Sequence, residues 1–349
     1  MLTEQKVREA LSQVKYPGYS RDIVSFGLVK EIDVAQDTVR VCLNLTSAKP
    51  GVAEQLKADC EQVLASLEQN CRVQVQVLQA DAPKEGGDPA ANPWANQARI
   101  PGVEHIVAVA SGKGGVGKST VAVNLACALR QIGAKVGLLD CDIYGPSIPL
   151  MMGINQRPVL SQNEKIEPIV NHGVKLMSIG FLLDPDSPVI WRGPMINRTI
   201  QQFLHSVDWG ELDYLIVDLP PGTGDAQLSL CQMVPLGGGL VVTTPQEAAL
   251  GVVRKGIAMF EKVNVPVLGL VENMSYFTTP TGERVEIFGH GGGKAEAKRQ
   301  NLPFLGEIPI YTEIRMGGDQ GIPVVIGAPH EPAARVFLGL AEALRKRLA

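Results

Sequence analysis

The stretch Gly112-Lys113-Gly114-Gly115-Val116-Gly117-Lys118-Ser119 decides how the rest of this sequence is interpreted. Its pattern, Gly-x-x-x-x-Gly-Lys-Ser/Thr, is typical of a loop whose backbone N–H groups surround a polyphosphate, because glycine lets the backbone approach the phosphates closely. Lys118 adds a compact positive charge, and the Ser119 hydroxyl is a ligand for Mg²⁺. An apolar run at 105–110 predicts a strand before the loop, and 119–132 predicts a helix whose N-terminus faces the phosphates. The stretch therefore predicts a nucleoside triphosphate site.

A second lysine, Lys113, follows the first glycine of this loop. Two like charges as close as Lys113 and Lys118 repel each other unless an anion lies near both. We therefore expect Lys113 to contact phosphate as well. The predicted nucleotide-binding residues of the loop run without a gap from Gly112 to Thr120.

Two predicted strands end in aspartates that suit a magnesium ion. Residues 138–142 read Leu-Leu-Asp-Cys-Asp, and residues 214–218 read Tyr-Leu-Ile-Val-Asp. Ligands of open α/β sheets bind at the carboxyl edge of the strands, where a carboxylate holds Mg²⁺ through water or positions the attacking water. Of the first two aspartates, Asp142 is the better candidate because it lies further beyond the strand. The predicted magnesium ligands are Ser119, Asp142 and Asp218. The predicted catalytic residues are Lys113, Lys118 and Asp142.

The loop after Asp218, Leu-Pro-Pro-Gly-Thr-Gly-Asp225, is rich in glycine and proline. A loop in this position can be ordered by a γ-phosphate and released on hydrolysis. The sequence lacks the Asn-Lys-x-Asp run that reads guanine, and Asn273 follows a predicted strand at 267–271, where it is placed to hydrogen-bond an adenine edge. ATP is therefore the expected nucleotide.

The composition of the 349 residues is that of an ordinary globular protein, with 45% hydrophobic and 19% charged residues. The net charge of −4 is not the positive charge that is typical of proteins that bind nucleic acid. No apolar stretch reaches the roughly 18 residues of a membrane span, and the N-terminus lacks an apolar signal core. We therefore expect no nucleic-acid partner, no membrane partner and a cytoplasmic location.

The six cysteines form no Cys-x-x-Cys pair, so their spacing identifies no zinc or cluster site. Cys60 continues the apolar face of a predicted helix, and Cys71 alternates in phase with the valines of a strand, so both are expected in a core. Cys42 shares its strand face with polar residues and is out of phase with the apolar ones. It is therefore the thiol expected to be most exposed.

The order of predicted elements divides the chain into a small domain, a linker and a large domain. Residues 1–80 predict a small α+β domain, and residues 81–101, rich in Pro, Gly, Ala and Asn, predict a flexible linker. The small domain is expected to contain a helix at 4–14, strands at 22–33 and 37–46, a helix at 52–69 and a strand at 71–79.

From 102 to 349, predicted strands alternate with predicted helices. This rhythm predicts an α/β P-loop NTPase domain with a mostly parallel sheet. The strands are expected near 105–110, 135–140, 174–179, 214–218, 239–244 and 266–271.

Several further motifs accompany the loop Ser111-Gly-Lys-Gly-Gly-Val-Gly-Lys-Ser-Thr120. They are Asp140-Cys-Asp-Ile-Tyr-Gly-Pro-Ser147, Trp191-Arg-Gly-Pro-Met195, Asp218-Leu-Pro-Pro-Gly-Thr-Gly-Asp225, Glu272-Asn-Met-Ser-Tyr-Phe277 and Phe288-Gly-His-Gly-Gly-Gly293. The loop resembles the deviant phosphate loop of the MinD, ParA and nitrogenase iron protein class. The whole set is similar to the Mrp family of iron–sulfur cluster carrier ATPases, and Asp22-Ile-Val-Ser-Phe-Gly-Leu-Val-Lys30 resembles the small N-terminal domain of many bacterial members.

The resemblance implies a homodimer in which Lys113 reaches the nucleotide of the partner subunit, with the ATP state controlling how a cluster is handled. It also implies apoproteins and assembly proteins as partners. One departure concerns the cluster itself. After Tyr276-Phe277 most family members carry a Cys-x-x-Cys pair that binds a cluster shared across the dimer, whereas this sequence reads Thr278-Thr-Pro-Thr-Gly-Glu283. Residues 46–51 also lack the cysteine that relatives often have there.

The departure leaves the cluster ligands unidentified, and three functions follow from the sequence. The first is an ATP-hydrolysing carrier that binds and transfers iron–sulfur clusters. The second is a nucleotide-switched positioning or scaffold protein, which the missing cysteine pair favours and the retained small domain and Trp191-Arg192-Gly193-Pro194 oppose. The third is a reductase coupling ATP to electron transfer, which the missing ligands weaken further. Any cluster would be held by scattered thiols, with Cys42 the most accessible and Cys141 the nearest to the nucleotide, or be shared with a partner.

Overall fold

A computed structural model describes residues 3–15, 22–24, 28–35, 38–45, 52–65, 67, 72–79, 97–143, 145–161, 164–182, 193–222 and 225–349 of the chain. The chain divides into two compact units, Met1–Ala91 and Asn92–Ala349. Within the described ranges, none of the helices combines the length and the hydropathy needed to cross a membrane.

In the smaller unit, two helices pack against one sheet. The described elements are α1 (Glu4–Leu11), β1 (Val29–Ala35), β2 (Thr38–Leu45), α2 (Val52–Ala65) and β3 (Arg72–Gln79). The strand order is β1-β2-β3, with β1 antiparallel and β3 parallel to β2. Because side chains alternate along a strand, Val39, Val41 and Leu43 share one face, and they are buried in one core with Leu56 and Cys60 of α2. The predicted core position of Cys60 is confirmed.

The first strand of this unit begins later than predicted. The sequence predicts a strand at 22–33, whereas β1 begins at Val29. The Oδ1 atom of Asp22 accepts the N–H of Val24 at 3.0 Å. Such a contact between an aspartate side chain and the backbone two residues on favours a turn over a strand. The second predicted helix is also shorter, since α2 ends at Ala65 instead of reaching 69.

The larger unit is built on a mostly parallel sheet. Its described strands are β4 (Val103–Ser111), β5 (Val136–Asp140), β6 (Ile169–Asn171), β7 (Val174–Ser178), β8 (Leu212–Asp218), β9 (Gly238–Thr243), β10 (Val267–Thr278), β11 (Arg284–Val285) and β12 (Phe304–Ile310). The helices are α3 (Lys118–Gln131), α4 (Ile148–Met151), α5 (Gly193–His205), α6 (Asp225–Met233), α7 (Glu247–Lys262), α8 (Gly292–Arg299), α9 (Thr312–Gln320), α10 (Val324–Gly327) and α11 (Pro332–Leu348). The strand order is β11-β10-β9-β4-β8-β5-β7-β6, with β12 beside β10. β11 and β6 run antiparallel to their neighbours, and the other described pairs are parallel.

Every strand predicted for this unit is present, and the α/β class with a mostly parallel sheet is confirmed. The sequence does not predict β6, β11 or β12. β12 contains Gly306 and Pro309, which favour turns. Proline is tolerated there because β12 is joined to the described part of the sheet through β10 alone, as an edge strand is.

The end of the predicted linker belongs to the larger unit. The N–H of Ala98 donates to Met233 O at 3.0 Å, and the Nε2 of Gln97 donates to Cys231 O. Ile100 is buried in the core of this unit. The composition of 97–101 is typical of a flexible segment. The contacts that attach it, one buried isoleucine and two hydrogen bonds to α6, depend on the folded structure and do not affect composition.

Three neighbouring strands bring the site residues to one edge of the sheet. Asp140 of β5 lies in register with Asp218 of β8. β4, the other neighbour of β8, ends at Ser111, directly before the phosphate loop. Helix α3 follows the loop and is buried along most of its length. Core packing therefore fixes where the loop, the helix and the two aspartates lie.

Candidate functional site

The phosphate loop is shaped by two glycines and one asparagine. Gly115 and Gly117 both have φ +81°, a conformation that residues with a Cβ rarely adopt. A Cβ on Gly117 would also collide with the amide group of Asn273. The Nδ2 of Asn273 donates to Val116 O at 2.8 Å, so this buried side chain holds the loop in place. The predicted contact of Asn273 with adenine stays a prediction.

Lys118 is buried between two aspartates. Its Nζ lies 2.6 Å from Asp218 Oδ1 and 3.7 Å from Asp142 Oδ2, and the residue is only 5% exposed. The Ser119 hydroxyl donates to Asp218 Oδ2 at 2.6 Å. A buried ammonium is tolerated only beside an opposite charge, so Asp218 fixes Lys118 at the start of α3. The structure therefore brings together Lys118, Ser119, Asp142 and Asp218, as the sequence predicts.

The oxygens in this cluster suit a magnesium ion. Ser119, Asp142 and Asp218 offer one hydroxyl and two carboxylates around the position of Lys118. Mg²⁺ prefers oxygen ligands, keeps several waters and is usually bound by one or two carboxylates together with substrate phosphates. The donor set fits the predicted metal, although its ligand roles stay predictions.

Asp140 is buried and accepts hydrogen bonds from two neighbouring residues. Its Oδ1 accepts the N–H of Asp142 at 3.0 Å, and its Oδ2 accepts the hydroxyl of Ser178 at 2.9 Å. Burial, together with the nearby charge of Asp218, raises the pKa of Asp140 to about 7. Burial also raises the pKa of Asp218, against the opposing effect of Lys118. Both acceptor oxygens of Asp140 are engaged inside the protein, which leaves Asp142 as the outer carboxylate of the pair.

Lys113 lies beside the same loop. Its Nζ donates to Gln246 Oε1 at 3.3 Å, and Gln246 is the residue that precedes α7. The carbonyl of Lys113 accepts the Ser111 hydroxyl at 3.1 Å. The ammonium of Lys113 is therefore placed next to the phosphate loop, with one of its three N–H donors on Gln246.

A cavity of about 480 Å³ adjoins the phosphate loop. Thr120 and Asn273 are among its lining residues, and its apolar lining includes Met274, Phe288 and Ile314. Sites for small ligands commonly combine apolar walls with a few polar groups that fix orientation. The cavity has this character, and Thr120, the last residue of the predicted phosphate-binding stretch, borders it.

Three side chains of the site escape sequence-based prediction. Ser178 ends β7 and donates to Asp140, Gln246 accepts from Lys113, and Gln227 of α6 donates to the loop that follows Asp218. A single serine or glutamine carries no motif. The one available signal is the position of Ser178 at the end of a strand, on the edge where ligands bind.

The larger unit matches a known protein family. A family model described as NUBPL iron-transfer P-loop NTPase matches residues 102–345. This chain belongs to that family. A second model, described as iron–sulfur cluster assembly protein, matches residues 4–77 of this NUBPL-family chain. The predicted resemblance to an iron–sulfur carrier family of P-loop ATPases is confirmed.

Relatives extend over both units of the NUBPL-family chain. An iron–sulfur cluster carrier protein of Synechocystis sp. is 45% identical over 348 residues, which is 98% of this chain and 97% of the relative. The iron–sulfur cluster transfer protein NUBPL of Mus musculus is 49% identical over 255 residues, which is 72% of this chain and 80% of the relative. The chain is therefore an ATPase of an iron–sulfur cluster carrier family.

Solved structures resemble the larger unit. The nucleotide-binding protein from Archaeoglobus fulgidus in complex with ADP has a TM-score of 0.60 and 42% identity, covering 68% of this chain and 93% of its own. The cell division ATPase MinD of Pyrococcus furiosus has a TM-score of 0.53 and 25% identity, covering 69% of this chain and 98% of its own. The P-loop fold of the NUBPL-family chain is therefore shared with proteins that bind adenine nucleotides or hydrolyse ATP.

The hairpin between β10 and β11 carries hydroxyl groups at its tip. The hydroxyls of Thr279 and Thr281 lie 2.8 Å apart, and the N–H of Thr279 donates to Glu283 O at 2.9 Å. Hydroxyl oxygens are poor ligands for iron–sulfur clusters, which are held by thiolates. Among the described residues, no group of three or more His, Cys, Asp or Glu side chains is arranged to hold a metal ion. The hairpin tip of this NUBPL-family chain therefore does not fit a cluster.

The described cysteines differ in how far they are exposed. Cys42 is partly exposed, as predicted, whereas Cys60, Cys127, Cys141 and Cys231 are buried. Burial raises the pKa of the Cys141 thiol well above its usual range, which disfavours the thiolate that a cluster requires. Cys141 is therefore a core residue beside the nucleotide site, and Cys42 is the accessible thiol of the described chain. Cys71, the segment 46–51 and residues 191–192 lie outside the described residues.

Proposed function

We propose that this chain hydrolyses ATP in a homodimer and uses the nucleotide state to control the transfer of iron–sulfur clusters to apoproteins. The observation that carries the proposal is the contact of Lys118 and Ser119, at the start of α3, with the buried carboxylate of Asp218. Phosphates arriving at a helix N-terminus bring negative charge of their own, so Lys118 can exchange Asp218 for a phosphate without losing its counter-charge. The names of the relatives, an iron–sulfur carrier and an iron–sulfur transfer protein, support the choice of cargo.

The residues of the site divide the work of hydrolysis. Backbone N–H groups of 112–117 and the ammonium of Lys118 bind the phosphates. Mg²⁺, when bound by Ser119, Asp142 and Asp218, neutralises charge on the phosphates. Asp142, whose side chain is 14% exposed, orients the attacking water and accepts its proton. The cavity beside Asn273 takes the adenine.

Lys113 serves the nucleotide of the second subunit in this proposal. The loop carries two lysines, and each of them would contact a phosphate. Lys118 is the buried lysine, because it pairs with Asp218. The one described contact of the Lys113 ammonium, to Gln246, is 3.3 Å long and easily replaced by a phosphate, because a charged hydrogen bond to an anion is stronger than one to a neutral amide. Dimerisation would then complete both sites at once.

The cluster is cargo that is held outside the hairpin tip. The tip offers hydroxyls, and the buried thiol of Cys141 is disfavoured as a thiolate. Cys42 is partly exposed and borders a cavity of about 540 Å³ in the smaller unit, together with Arg40 and Gln76. One thiol does not hold a cluster by itself, so the remaining ligands come from a second subunit or from the acceptor protein. Such a cluster is labile, which suits transfer more than storage.

A transfer assay tests the proposal. The chain is reconstituted anaerobically with iron and sulfide and mixed with an apoprotein whose activity requires a [4Fe–4S] cluster, in the presence of Mg²⁺ with ATP or ADP. We expect the acceptor to gain activity faster with ATP than with ADP, and the difference to vanish in Lys118→Ala. Lys135→Ala is the matched control, because Lys135 is 62% exposed and lies in an ion pair with Glu211 away from the loop. Equal transfer with ATP, ADP and no nucleotide would contradict ATP control.

The hydroxyl-bearing hairpin favours a second candidate function, a nucleotide-switched scaffold that holds no cluster of its own. A scaffold would dimerise with ATP and bind its partners, but it would transfer no iron. Transfer from ⁵⁵Fe-labelled protein separates the two functions, because a scaffold leaves the acceptor unlabelled while its ATP-dependent dimerisation stays intact.

A further inference from the structure

The loop between β8 and α6 is held by one buried side chain. Gln227 is 1% exposed, and its Nε2 donates to both Pro220 O at 2.7 Å and Gly222 O at 2.8 Å. Both N–H groups of the amide are therefore used on the loop 219–222, which begins directly after Asp218. A single side chain that binds two carbonyls two residues apart fixes the turn between them.

The same loop is tied to the phosphate loop from its other side. The N–H of Gly222 donates to the carbonyl of Ser111 at 3.0 Å. Ser111 is the last residue of β4, and its hydroxyl donates to the carbonyl of Lys113. Gly222 has φ +96°, which only glycine adopts without strain. Its backbone thus joins α6, through Gln227, to the strand that carries the phosphate loop.

The acceptor end of Gln227 is left without a partner among the described residues. Its Oε1 is buried and receives no hydrogen bond there. A buried acceptor with no donor is costly, typically by about 1–3 kcal/mol. Such a cost is expected in an element with two arrangements, one of which supplies the missing donor. Within 219–222, Pro220 and Pro221 have no N–H, and the N–H groups of Leu219 and Gly222 donate to Val109 O and Ser111 O. An N–H of this loop therefore becomes available to Oε1 only when the loop rearranges.

We propose that Gln227 is the positioning residue of the loop 219–222, which it holds against the strand end before the phosphate loop and whose γ-phosphate-dependent rearrangement it conveys to helix α6. This inference rests on the proposed function, since a γ-phosphate reaches the loop only when ATP occupies the site. Gln227 itself touches neither phosphate nor water in this role. It acts through the backbone of Pro220 and Gly222.

The variant Gln227→Leu removes both donors and keeps an apolar side chain of similar size. We expect kcat for ATP hydrolysis to fall about 100-fold, because a misplaced loop near the reacting phosphate loses catalytic alignment. ADP affinity is expected to stay within about twofold of the wild type, because the loop 112–118 that binds the α- and β-phosphates is unchanged. A γ-phosphate that contacts the loop is expected to make the wild type bind ATP more tightly than ADP, and this preference should disappear in the variant. A merely structural role of Gln227 would instead lower the affinities for both nucleotides in parallel.

Gln232→Leu is the matched control, because Gln232 lies on the same helix and is exposed. We expect its kcat and its nucleotide affinities to equal those of the wild type. If Gln227→Leu keeps kcat and the ATP preference of the wild type, the positioning role is wrong. The same conclusion follows if ATP and ADP affinities fall equally.

Hydrogen exchange in the wild-type chain decides the matter should Gln227→Leu fail to fold. We expect the peptide 219–228 to exchange more slowly with a non-hydrolysable ATP analogue than with ADP, since the γ-phosphate orders the loop and its contacts to α6. Equal exchange in the two complexes would overturn the proposal. A wild type that shows this difference but transfers no cluster would contradict the proposed cargo and leave the role of Gln227 standing.

Discussion

Strand β10 runs between two regions of opposite character. Near its middle, Asn273 is buried and holds the phosphate loop through Val116 O, beside the ion pair of Lys118 and Asp218. At its end, Thr278 leads into a hairpin whose side-chain hydroxyls are exposed. The phosphate-loop region is charged, buried and closely paired, whereas the hairpin tip carries hydroxyl groups and is open to solvent. The nucleotide machinery is thus built into the core, and the position where the family resemblance leads one to expect a cluster lacks soft ligands.

The energetics of the two regions differ accordingly. Removing one partner of a buried ion pair typically costs about 3–5 kcal/mol, because the other charge stays buried without compensation. An exposed hydrogen bond between two hydroxyls contributes about 1 kcal/mol or less. Substitutions in the phosphate-loop region are therefore expected to change function strongly, and substitutions at the hairpin tip can add a function at little cost to the fold.

The largest effect is expected for Asp142→Asn in the phosphate-loop region. It removes the carboxylate that accepts the proton of the attacking water, so kcat should fall by about 100-fold or more. ATP binding should persist, because Lys118, the loop glycines and the other two predicted magnesium ligands, Ser119 and Asp218, are unchanged. Phosphate release measures kcat and calorimetry measures ATP affinity, with Asp208→Asn as the control, since Asp208 is exposed and far from the loop in sequence. Unchanged hydrolysis in Asp142→Asn would show that another group activates the water.

Lys118→Ala should weaken ATP binding by about ten- to a hundredfold. A charged hydrogen bond is worth roughly 1.5–3 kcal/mol, and the variant loses one to the β- and γ-phosphates. It also leaves Asp218 buried without its ion pair, so the thermal midpoint of the nucleotide-free protein should fall. Calorimetric titration with ATP checks the affinity, with Lys135→Ala as the exposed control. An ATP affinity in Lys118→Ala equal to that of the wild type would contradict the assignment of this loop as the phosphate-binding loop.

The hairpin tip can be turned into a cluster site by the pair Thr278→Cys and Thr281→Cys. The pair restores Cys-x-x-Cys spacing, and two subunits would then offer the four thiolates that a [4Fe–4S] cluster takes. We expect anaerobic reconstitution to raise the iron content to about one such cluster per dimer. Thr278→Ser with Thr281→Ser is the matched control, because serine retains the hydroxyls. Iron content at the control level in the cysteine variant would mean that the hairpins of two subunits do not meet.

The smallest effect concerns the action of Lys113 across the dimer. Lys113→Ala should retain much of the ATP binding but lower hydrolysis. An equal mixture of Lys113→Ala and Asp142→Ala subunits should recover about a quarter of wild-type activity, because half of the dimers are mixed and one of their two sites is intact. Phosphate release from the mixture measures this. No recovery, with mixed dimers demonstrated by mass spectrometry, would place Lys113 in its own subunit's site, where it already contacts Gln246.

Much of the nucleotide site follows from the sequence because its signals are local. The spacing from Gly112 to Ser119 is a contiguous motif, and Asp142 and Asp218 stand at the ends of apolar runs that any parallel sheet brings to one edge. The structure places Lys118, Ser119 and both aspartates within one cluster. Period-two alternation likewise predicts an accessible Cys42, which is the one partly exposed thiol among the described cysteines.

The parts that escape prediction depend on contacts between distant segments. Ser178 meets Asp140 across 38 positions of sequence, and no local pattern records that pairing. Gln227 acts through two backbone carbonyls that only the folded loop brings within reach. Cys141, expected as the thiol nearest the nucleotide, is indeed next to the aspartates, but the core closes over it. The sequence Asp140-Cys141-Asp142 places the thiol between two carboxylates, but it does not show that the thiol lies on the buried side of the strand end.

The most direct test of the contrast between the two regions is the iron and acid-labile sulfide content of the anaerobically reconstituted protein. We predict substoichiometric iron that falls further in Cys42→Ser, colourless protein after purification in air, and undiminished ATP hydrolysis in the iron-free chain, because the phosphate-loop region contains no cluster ligand. A stable brown protein with a full four-iron cluster per dimer, retained in Cys42→Ser and Cys141→Ser, would contradict this account and show that the ligands lie elsewhere.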